Sequence, residues 1–146
     1  MLISFGFAWQ ERTKIFIIPD QRNFEFIVTI YNFEDADKLP VELFTWTYEI
    51  EIPENGILLT SSKINSDLPN TKVFTKSRIS LQDSNDKVDL CFGNASTSKI
   101  QVGSKIYDYQ AWKIDKGGTI GYSTNDIEKL EEELRNYLRN KNSSRK

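Results

Sequence analysis

The chain has 146 residues, with 19 basic and 21 acidic side chains, and 38% of its residues are hydrophobic. This length predicts one folded domain, and the near-neutral charge gives no general attraction to nucleic acid. Histidine is absent and Cys91 is the only cysteine, which excludes imidazole-dependent catalytic triads, intrachain disulfides and multi-cysteine zinc sites. We therefore predict a domain that is not an enzyme and has no catalytic residue, metal ligand or cofactor site.

The first ten residues, MLISFGFAWQ, are apolar but form only a short segment. A complete signal peptide has basic residues before its apolar segment, and none precedes this one. No stretch of the chain reaches the roughly 18 to 20 apolar residues that span a bilayer. We expect no membrane span and a cytoplasmic location. A location in the cell envelope is the alternative if the true start lies upstream.

Alternating hydrophobic and polar residues dominate the first two thirds of the chain. The segment TKIFIIP predicts a strand that ends at Pro19, and FEFIVTIY predicts a second strand with apolar residues on both faces, as in the interior of a sheet. Turn-forming residues separate further predicted strands at VFTKSRISL, KVDLCFG, SKIQV and KIYDYQAWKI.

The segment 44–61, FTWTYEIEIPENGILLTS, shows the clearest alternation. Glu49 and Glu51 are predicted to face solvent, and the opposite face is predicted to cover the core with Phe44, Trp46, Tyr48, Ile50 and Ile52. Asn55-Gly56 predicts a type I′ hairpin, which would return ILLTS as the neighbouring strand.

The end of the chain changes to helical periodicity. Ile127, Leu130, Leu134 and Leu138 predict an amphipathic helix over 124–141, with Ser123 at its start and a disordered tail over 142–146. The predicted fold class is mainly β, an antiparallel sandwich or partly open barrel of about seven to nine strands with one C-terminal helix. The strands and the helix are expected to form a single domain over residues 1–141.

Acidic residues concentrate between positions 25 and 54, where eight carboxylates accompany one lysine, Lys38. Such a surface attracts a basic partner over a Debye length, roughly 8 Å at physiological ionic strength, although it could also serve only solubility. We predict that the partner-binding residues are Glu34, Asp35, Asp37, Glu49 and Glu51.

Two other functions remain open. A small-molecule or glycan-binding module of the envelope would use exposed aromatic side chains. The candidates are Trp9, Trp46, Trp112, Tyr107 and Tyr109, of which Trp46 is predicted to lie in the core. A hydrolase would need a pair of carboxylates, but no spacing selects one. Nucleic acid is disfavoured as a partner because the strand richest in aromatic residues alternates with glutamate, which repels phosphate.

Three stretches of the chain, IFIIPD, YEIEIPENGILLTS and GYSTNDIEKLEEE, together resemble a family of small uncharacterised bacterial domains that are often found behind a signal peptide or a lipid anchor. The resemblance implies a compact β-rich domain without catalytic residues. The segment before IFIIPD departs from the family pattern, because it contains neither a complete export signal nor a cysteine for lipid attachment.

These observations favour a non-catalytic domain that binds a protein with a basic surface. Small acidic bacterial domains without catalytic groups include toxin-neutralising immunity proteins, which block a basic active site electrostatically. An immunity protein is therefore the most specific functional hypothesis that the sequence supports.

Overall fold

The computed structural model describes residues 12–21, 23–83, 90–116 and 124–144, with the backbone alone for 82–83, 90–96 and 115–116. These residues form eight strands and one α-helix, with a turn of 3-10 helix at Ile64–Ser66. The elements are β1 Thr13–Ile18, β2 Phe26–Ile30, β3 Thr47–Glu51, β4 Ile57–Leu59, β5 Asn70–Thr75, β6 Ser80–Asp83, β7 Leu90–Val102, β8 Lys105–Lys116 and α1 Thr124–Ser143.

The strands form two mixed sheets that share β6. The first sheet has the order β3-β1-β5-β6, and β1 runs parallel to both of its neighbours. The second has the order β6-β7-β8-β2-β4, in which β2 is antiparallel to β8 and parallel to β4. In this series β3 and β4 are the terminal strands, and the described strands do not close into a barrel. The mainly-β prediction with a C-terminal helix is confirmed, although the sheets are mixed instead of antiparallel.

The predicted hairpin between β3 and β4 is wrong. The ladder hydrogen bonds of β3 are made with β1 and those of β4 with β2, so the two strands lie in different sheets. Residues 53–56 form a turn closed by a hydrogen bond from the Gly56 N–H to the Pro53 carbonyl (2.9 Å), and Gly56 has φ +81°. A Cβ atom at Gly56 would lie 2.7 Å from the Phe26 carbonyl oxygen, which explains why glycine occupies this position.

A long hairpin forms the centre of the second sheet. Strands β7 and β8 pair antiparallel from Leu90 opposite Lys116 to Val102 opposite Lys105. The two residues between the strands are Gly103 and Ser104, and Gly103 has φ +63°, as the first central residue of a type II′ turn requires. Cys91 lies in β7, but its side chain is outside the described part of the structure.

The buried side chains form two clusters on either side of the second sheet. One cluster fills the space between the two sheets and includes Phe16, Ile27, Tyr48, Val73 and Trp112. The other lies between the second sheet and the helix and includes Val28, Ile100, Tyr109, Leu134 and Leu138. Both faces of β2 are therefore buried, as its sequence predicts. The layers are helix, second sheet and first sheet.

The helix packs on the second sheet through one apolar stripe. Leu130, Leu134 and Leu138 are buried at intervals of four residues, the spacing that places side chains on one helix face. The helix extends to Ser143, two residues beyond the predicted end. Ser123 and residues 145–146, which belong to the predicted helix start and tail, lie outside the described residues.

No helix in the described ranges has the length and apolar character needed to cross a membrane.

Candidate functional site

The first group of predicted binding residues lies in the loop between β2 and β3. Glu34, Asp35 and Asp37 are exposed, and the loop is anchored by its backbone. The Asp37 carbonyl accepts hydrogen bonds from the Thr60 hydroxyl (2.8 Å) and the Ser61 N–H (3.2 Å). The same loop lines a cavity of about 340 Å³ together with Ile50 of β3. The loop is therefore a fixed structure on the Ile50 side of β3.

The second group points to the opposite face of β3. Glu49 and Glu51 are exposed, and strand alternation directs them away from the Ile50 side. Glu49 forms an exposed ion pair with Arg78 (2.6 Å), which is worth little in water. The five predicted carboxylates thus do not share one face, and their role in binding stays a prediction.

The residues before β3 form an exposed apolar turn, which we call the 42–46 turn. Its side chains Leu43, Phe44 and Trp46 are 71%, 88% and 49% exposed. The prediction that Phe44 and Trp46 cover the core is wrong, because β3 begins only at Thr47. Tyr48 and Ile52 are buried as predicted, and Ile50 is partly buried.

Hydrogen bonds hold the 42–46 turn in one conformation. Glu42 and Thr45 close it, since the Thr45 N–H donates to the Glu42 carbonyl (3.1 Å) and the Glu42 N–H donates to the Thr45 hydroxyl (2.8 Å). The guanidinium of Arg12, a buried residue, donates to the carbonyls of Thr45 and Glu42. The turn therefore presents its apolar side chains from a preorganised backbone.

Three of the aromatic residues proposed for a ligand platform are not available at the surface. Tyr107, Tyr109 and Trp112 are all buried. Tyr109 donates a hydrogen bond to Glu131 of the helix (2.8 Å), and the ring of Trp112 lies edge-on to Phe16 with the ring centres 5.1 Å apart. Trp9 lies outside the described residues. A platform for glycans or bases is therefore absent at Tyr107, Tyr109 and Trp112.

A buried polar cluster, which the sequence did not predict, is centred on Asp67. Its Oδ2 accepts hydrogen bonds from the Lys14 ammonium (2.8 Å) and the Tyr31 hydroxyl (2.6 Å). Its Oδ1 accepts from the Tyr48 hydroxyl (2.7 Å) and the Leu68 N–H (2.8 Å). The Lys14 ammonium also donates to Gln110 (3.3 Å) and lies 4.8 Å from the centre of the Trp112 ring, a cation–π distance.

This arrangement suits a structural role. Two oxygens of an ionised carboxylate have about four lone-pair sites, and Asp67 uses four of them. No lone pair is left to accept a proton from a substrate. Burial raises the pKa of Tyr31 and Tyr48, with the Asp67 charge adding to the effect, so both hydroxyls stay protonated donors. Burial lowers the pKa of Lys14, while its pairing with Asp67 opposes the change.

One sequence signal could have located half of this cluster. Lys14 occupies the same face of β1 as Phe16 and Ile18, which both face the core, and a lysine in such a row needs an acidic partner. Asp67 lies 53 positions away in the unremarkable loop segment NSDLPN. Sequence alone does not select it among the acidic residues.

An open groove of about 490 Å³ borders the cluster and includes Lys14, Asp67, Lys99 and Asp108 in its walls. The charges of the groove are already matched. Lys99 pairs with Asp108 (2.8 Å), as Lys14 pairs with Asp67. The groove therefore offers no uncompensated charge to a ligand.

Comparisons with known proteins identify the fold but no family. No protein-family model matches the chain, and no curated protein matches it. A search of solved structures finds a Bacillus anthracis protein named as a "Putative Lipoprotein", with a TM-score of 0.58 and 18% sequence identity over 88% of this chain and 96% of that chain. The β-rich fold thus occurs in a bacterial protein of similar length. At this level of identity the likeness extends to the fold alone.

Proposed function

We propose that this domain binds a protein partner through the 42–46 turn together with the carboxylates of Glu49 and Glu51 on β3. The observation that carries the proposal is the exposure of Leu43, Phe44 and Trp46 on one fixed turn. Three large apolar side chains in four positions are unusual on a solvated loop, and contiguous exposed apolar surface typically marks an interaction site.

The energetics favour a protein interface at this turn. Aromatic residues that insert into a partner's pocket commonly act as hot spots, and burying each side chain contributes about 1.5–3 kcal/mol. The Arg12 hydrogen bonds fix the backbone before binding, so little conformational entropy is lost on association. Phe44 and Trp46 would serve as the anchors.

The surrounding charge specifies the partner. Glu42 lies within the turn, and Glu49 and Glu51 are exposed on the strand that follows, where Glu49 also pairs with the exposed Arg78. A partner with an apolar pocket and a basic rim complements this surface, and carboxylates at the rim accelerate association by steering. A toxin with a basic active site has these properties. We therefore propose, more specifically, that the domain neutralises such a toxin.

Affinity capture from a lysate of the source cell tests the proposal. The full chain, Phe44→Asp and Trp46→Asp serve as baits, with Ile106→Asp as the matched control, since Ile106 is an exposed apolar residue on β8. We expect a protein that is retained by the wild type and the control but lost, by at least about tenfold, from both turn variants. Retention of the same proteins by all four baits would reject the 42–46 turn as the contact surface.

Two observations would then separate neutralisation from other kinds of binding. The captured protein should be toxic when expressed alone and harmless when expressed with this chain. Its reading frame should lie immediately upstream of that of the domain. A captured protein that is not toxic would support protein binding but contradict the immunity hypothesis.

The structural neighbour favours a location in the cell envelope as a second part of the proposal. That neighbour is named as a lipoprotein, and the segments IFIIPD, YEIEIPENGILLTS and GYSTNDIEKLEEE resemble domains that follow export signals. Fractionation of the source cell, with detection of the native protein, tests the location. Recovery in the cytosolic fraction alone would contradict it.

A further inference from the structure

A second groove lies between the helix and the edge of the second sheet. It has a volume of about 490 Å³ and is formed by the first half of α1, the residues that lead into β2 and the turn before β4. None of the residues of the 42–46 turn lines it. Its lining includes apolar side chains, among them Phe26, Ile57 and Leu130, which we call its apolar floor. Phe26 and Ile57 are only partly buried, so apolar surface is accessible there.

Carboxylates surround this apolar floor. Glu25, Glu54 and Glu133 line the groove from three separate segments of the chain, and all three are exposed. In the described part of the structure none of the three has an ion-pair partner within 4.0 Å. Asp126 also lines the groove, and the Lys113 ammonium lies 4.0 Å from the Asp126 carboxylate.

The charge balance of the groove selects its ligand. Among the described residues that line the groove, Lys129 is the one basic side chain, against four carboxylates, of which Asp126 has Lys113 nearby. A ligand with cationic groups gains from several of these carboxylates at once, whereas an anionic ligand is repelled. The apolar floor adds a requirement for an apolar group between the cationic ones.

We propose that this groove binds a peptide segment of a partner protein in which an apolar side chain is flanked by lysine or arginine. The apolar side chain packs on Phe26, Ile57 and Leu130, and the flanking cations pair with Glu25, Glu54 and Glu133. The carboxylates come from three separate segments of the chain, so a peptide that carries several cations can contact more of them than a single amine can. This surface is separate from the 42–46 turn, and the inference goes beyond the function proposed above.

Titration of the full ¹⁵N-labelled chain with synthetic peptides tests the inference. The probe is a hexapeptide that alternates lysine with phenylalanine, and its control contains glutamate in place of each lysine. We expect saturable shifts of the amide resonances of residues 126–134 and 54–57 with the lysine peptide only. Phenethylamine is the third ligand, because it combines an aromatic group with one amine.

Variants with altered charges in the groove sharpen the test. Replacing both Glu54 and Glu133 with glutamine should weaken binding of the lysine peptide about three- to tenfold at low salt. Lys129→Gln should tighten it about twofold, since a repelling charge is removed. Glu128→Gln with Glu132→Gln is the matched control, because both residues are exposed on the same helix but do not line the groove.

Three results would overturn the inference. Equal shifts with the glutamate peptide would show that charge is not recognised. An equal loss of affinity in the double variant Glu128→Gln, Glu132→Gln would show that the effect comes from the net charge of the chain instead of the groove. Binding of phenethylamine as tightly as the peptide would assign the groove to small organic cations.

Discussion

The ammonium group of Lys14 and the carboxylate of Asp67 lie 2.8 Å apart in the space between the two sheets, where both side chains are almost completely removed from solvent. Lys14 comes from β1 of the first sheet, and Asp67 precedes β5. Tyr31 at the end of β2 and Tyr48 of β3 donate to the same carboxylate. One buried anion therefore ties together segments of both sheets.

Asp67→Asn should destabilise the protein strongly. The substitution keeps the shape of the side chain but leaves the Lys14 charge buried without a counterion, which costs about 3–5 kcal/mol. Unfolding in urea at pH 7 measures the loss. The double variant Lys14→Met, Asp67→Asn should lose less than the sum of the two single changes, because the unpaired charge is gone. Additive losses would show that the two groups do not interact.

Lys99 and Asp108 provide the matched control for this pair. They also lie 2.8 Å apart, but the Lys99 side chain is largely exposed. Lys99→Gln should therefore cost less than about 1 kcal/mol. If Lys99→Gln and Asp67→Asn lowered the free energy of unfolding by similar amounts, burial would not be the reason that the Lys14–Asp67 pair matters for stability.

The two tyrosines of the cluster should make the protein sensitive to alkaline pH. Burial and then the Asp67 charge raise the pKa of Tyr31 and Tyr48 above the ordinary 10.0. Below pH 10 both the folded and the unfolded chain hold the phenolic protons, and the stabilisation is fully present. Above pH 10 the unfolded chain releases them first, so each tyrosine lowers the free energy of unfolding by about 1.4 kcal/mol per pH unit.

Lys14 has the opposite dependence. Burial lowers the pKa of Lys14 from 10.5, so the unfolded chain retains its proton to higher pH and stability rises on approaching 10.5. The tyrosine effect is isolated by comparing the wild type with Tyr48→Phe between pH 10 and 11.5. The slope of the variant should be shallower by about 1.4 kcal/mol per pH unit. Identical slopes would show that Tyr48 titrates normally in the folded state.

The sequence predicts those parts of the fold in which residue periodicity survives in three dimensions. The alternation in β1 and β2 and the four-residue spacing of Leu130, Leu134 and Leu138 each correspond to an observed element. The start of β3 could not be predicted, because FTWT alternates like the strand that follows it. In the structure, hydrogen bonds between Glu42 and Thr45 close these residues into a turn, and Arg12 donates to the carbonyls of the same two residues.

Long-range pairing is the part that local sequence does not encode. The segment PENG favours a hairpin, but β3 and β4 pair with β1 and β2, which lie tens of residues earlier in the chain. For the candidate site, alternation gives the exposure of Glu49 and Glu51 correctly. Alternation does not predict that Arg12 anchors the 42–46 turn, since the two are about 30 positions apart in the sequence.

Gly56 and Gly103 should respond differently to alanine, although both have positive φ. A Cβ atom at Gly103 would meet nothing within 4 Å, so Gly103→Ala should cost only the backbone strain, about 1–2 kcal/mol. At Gly56 the new methyl group also collides with the Phe26 carbonyl and the Phe24 ring, which adds about 1–3 kcal/mol. Thermal and urea unfolding of the two variants test this difference. Equal losses would mean that the turn before β4 relaxes freely.

Phe44→Ser should leave stability almost unchanged, in contrast to a substitution in the core. Phe44 is largely exposed, and surface changes of this kind alter the free energy of unfolding by about 0.5 kcal/mol or less. Leu134→Ala, at a fully buried helix position, should cost about 2–5 kcal/mol. A large loss in Phe44→Ser would show that the side chain packs in the fold and cannot serve as a free anchor.

Charge reversal at Glu34, Asp37, Glu49 and Glu51 separates the electrostatic part of the proposed binding from the apolar part. With the captured partner, the four changes to lysine should slow association about tenfold at low salt and flatten its dependence on ionic strength, because steering acts on the encounter. Dissociation should change less, since Phe44 and Trp46 remain in place. Glu128→Lys with Glu132→Lys, two exposed changes on the helix, is the control for net charge. It is compared with the pair Glu49→Lys, Glu51→Lys, which changes the net charge equally. If the fourfold variant associates at the wild-type rate with the same salt dependence, the predicted carboxylates do not guide the partner, and the 42–46 turn alone carries recognition.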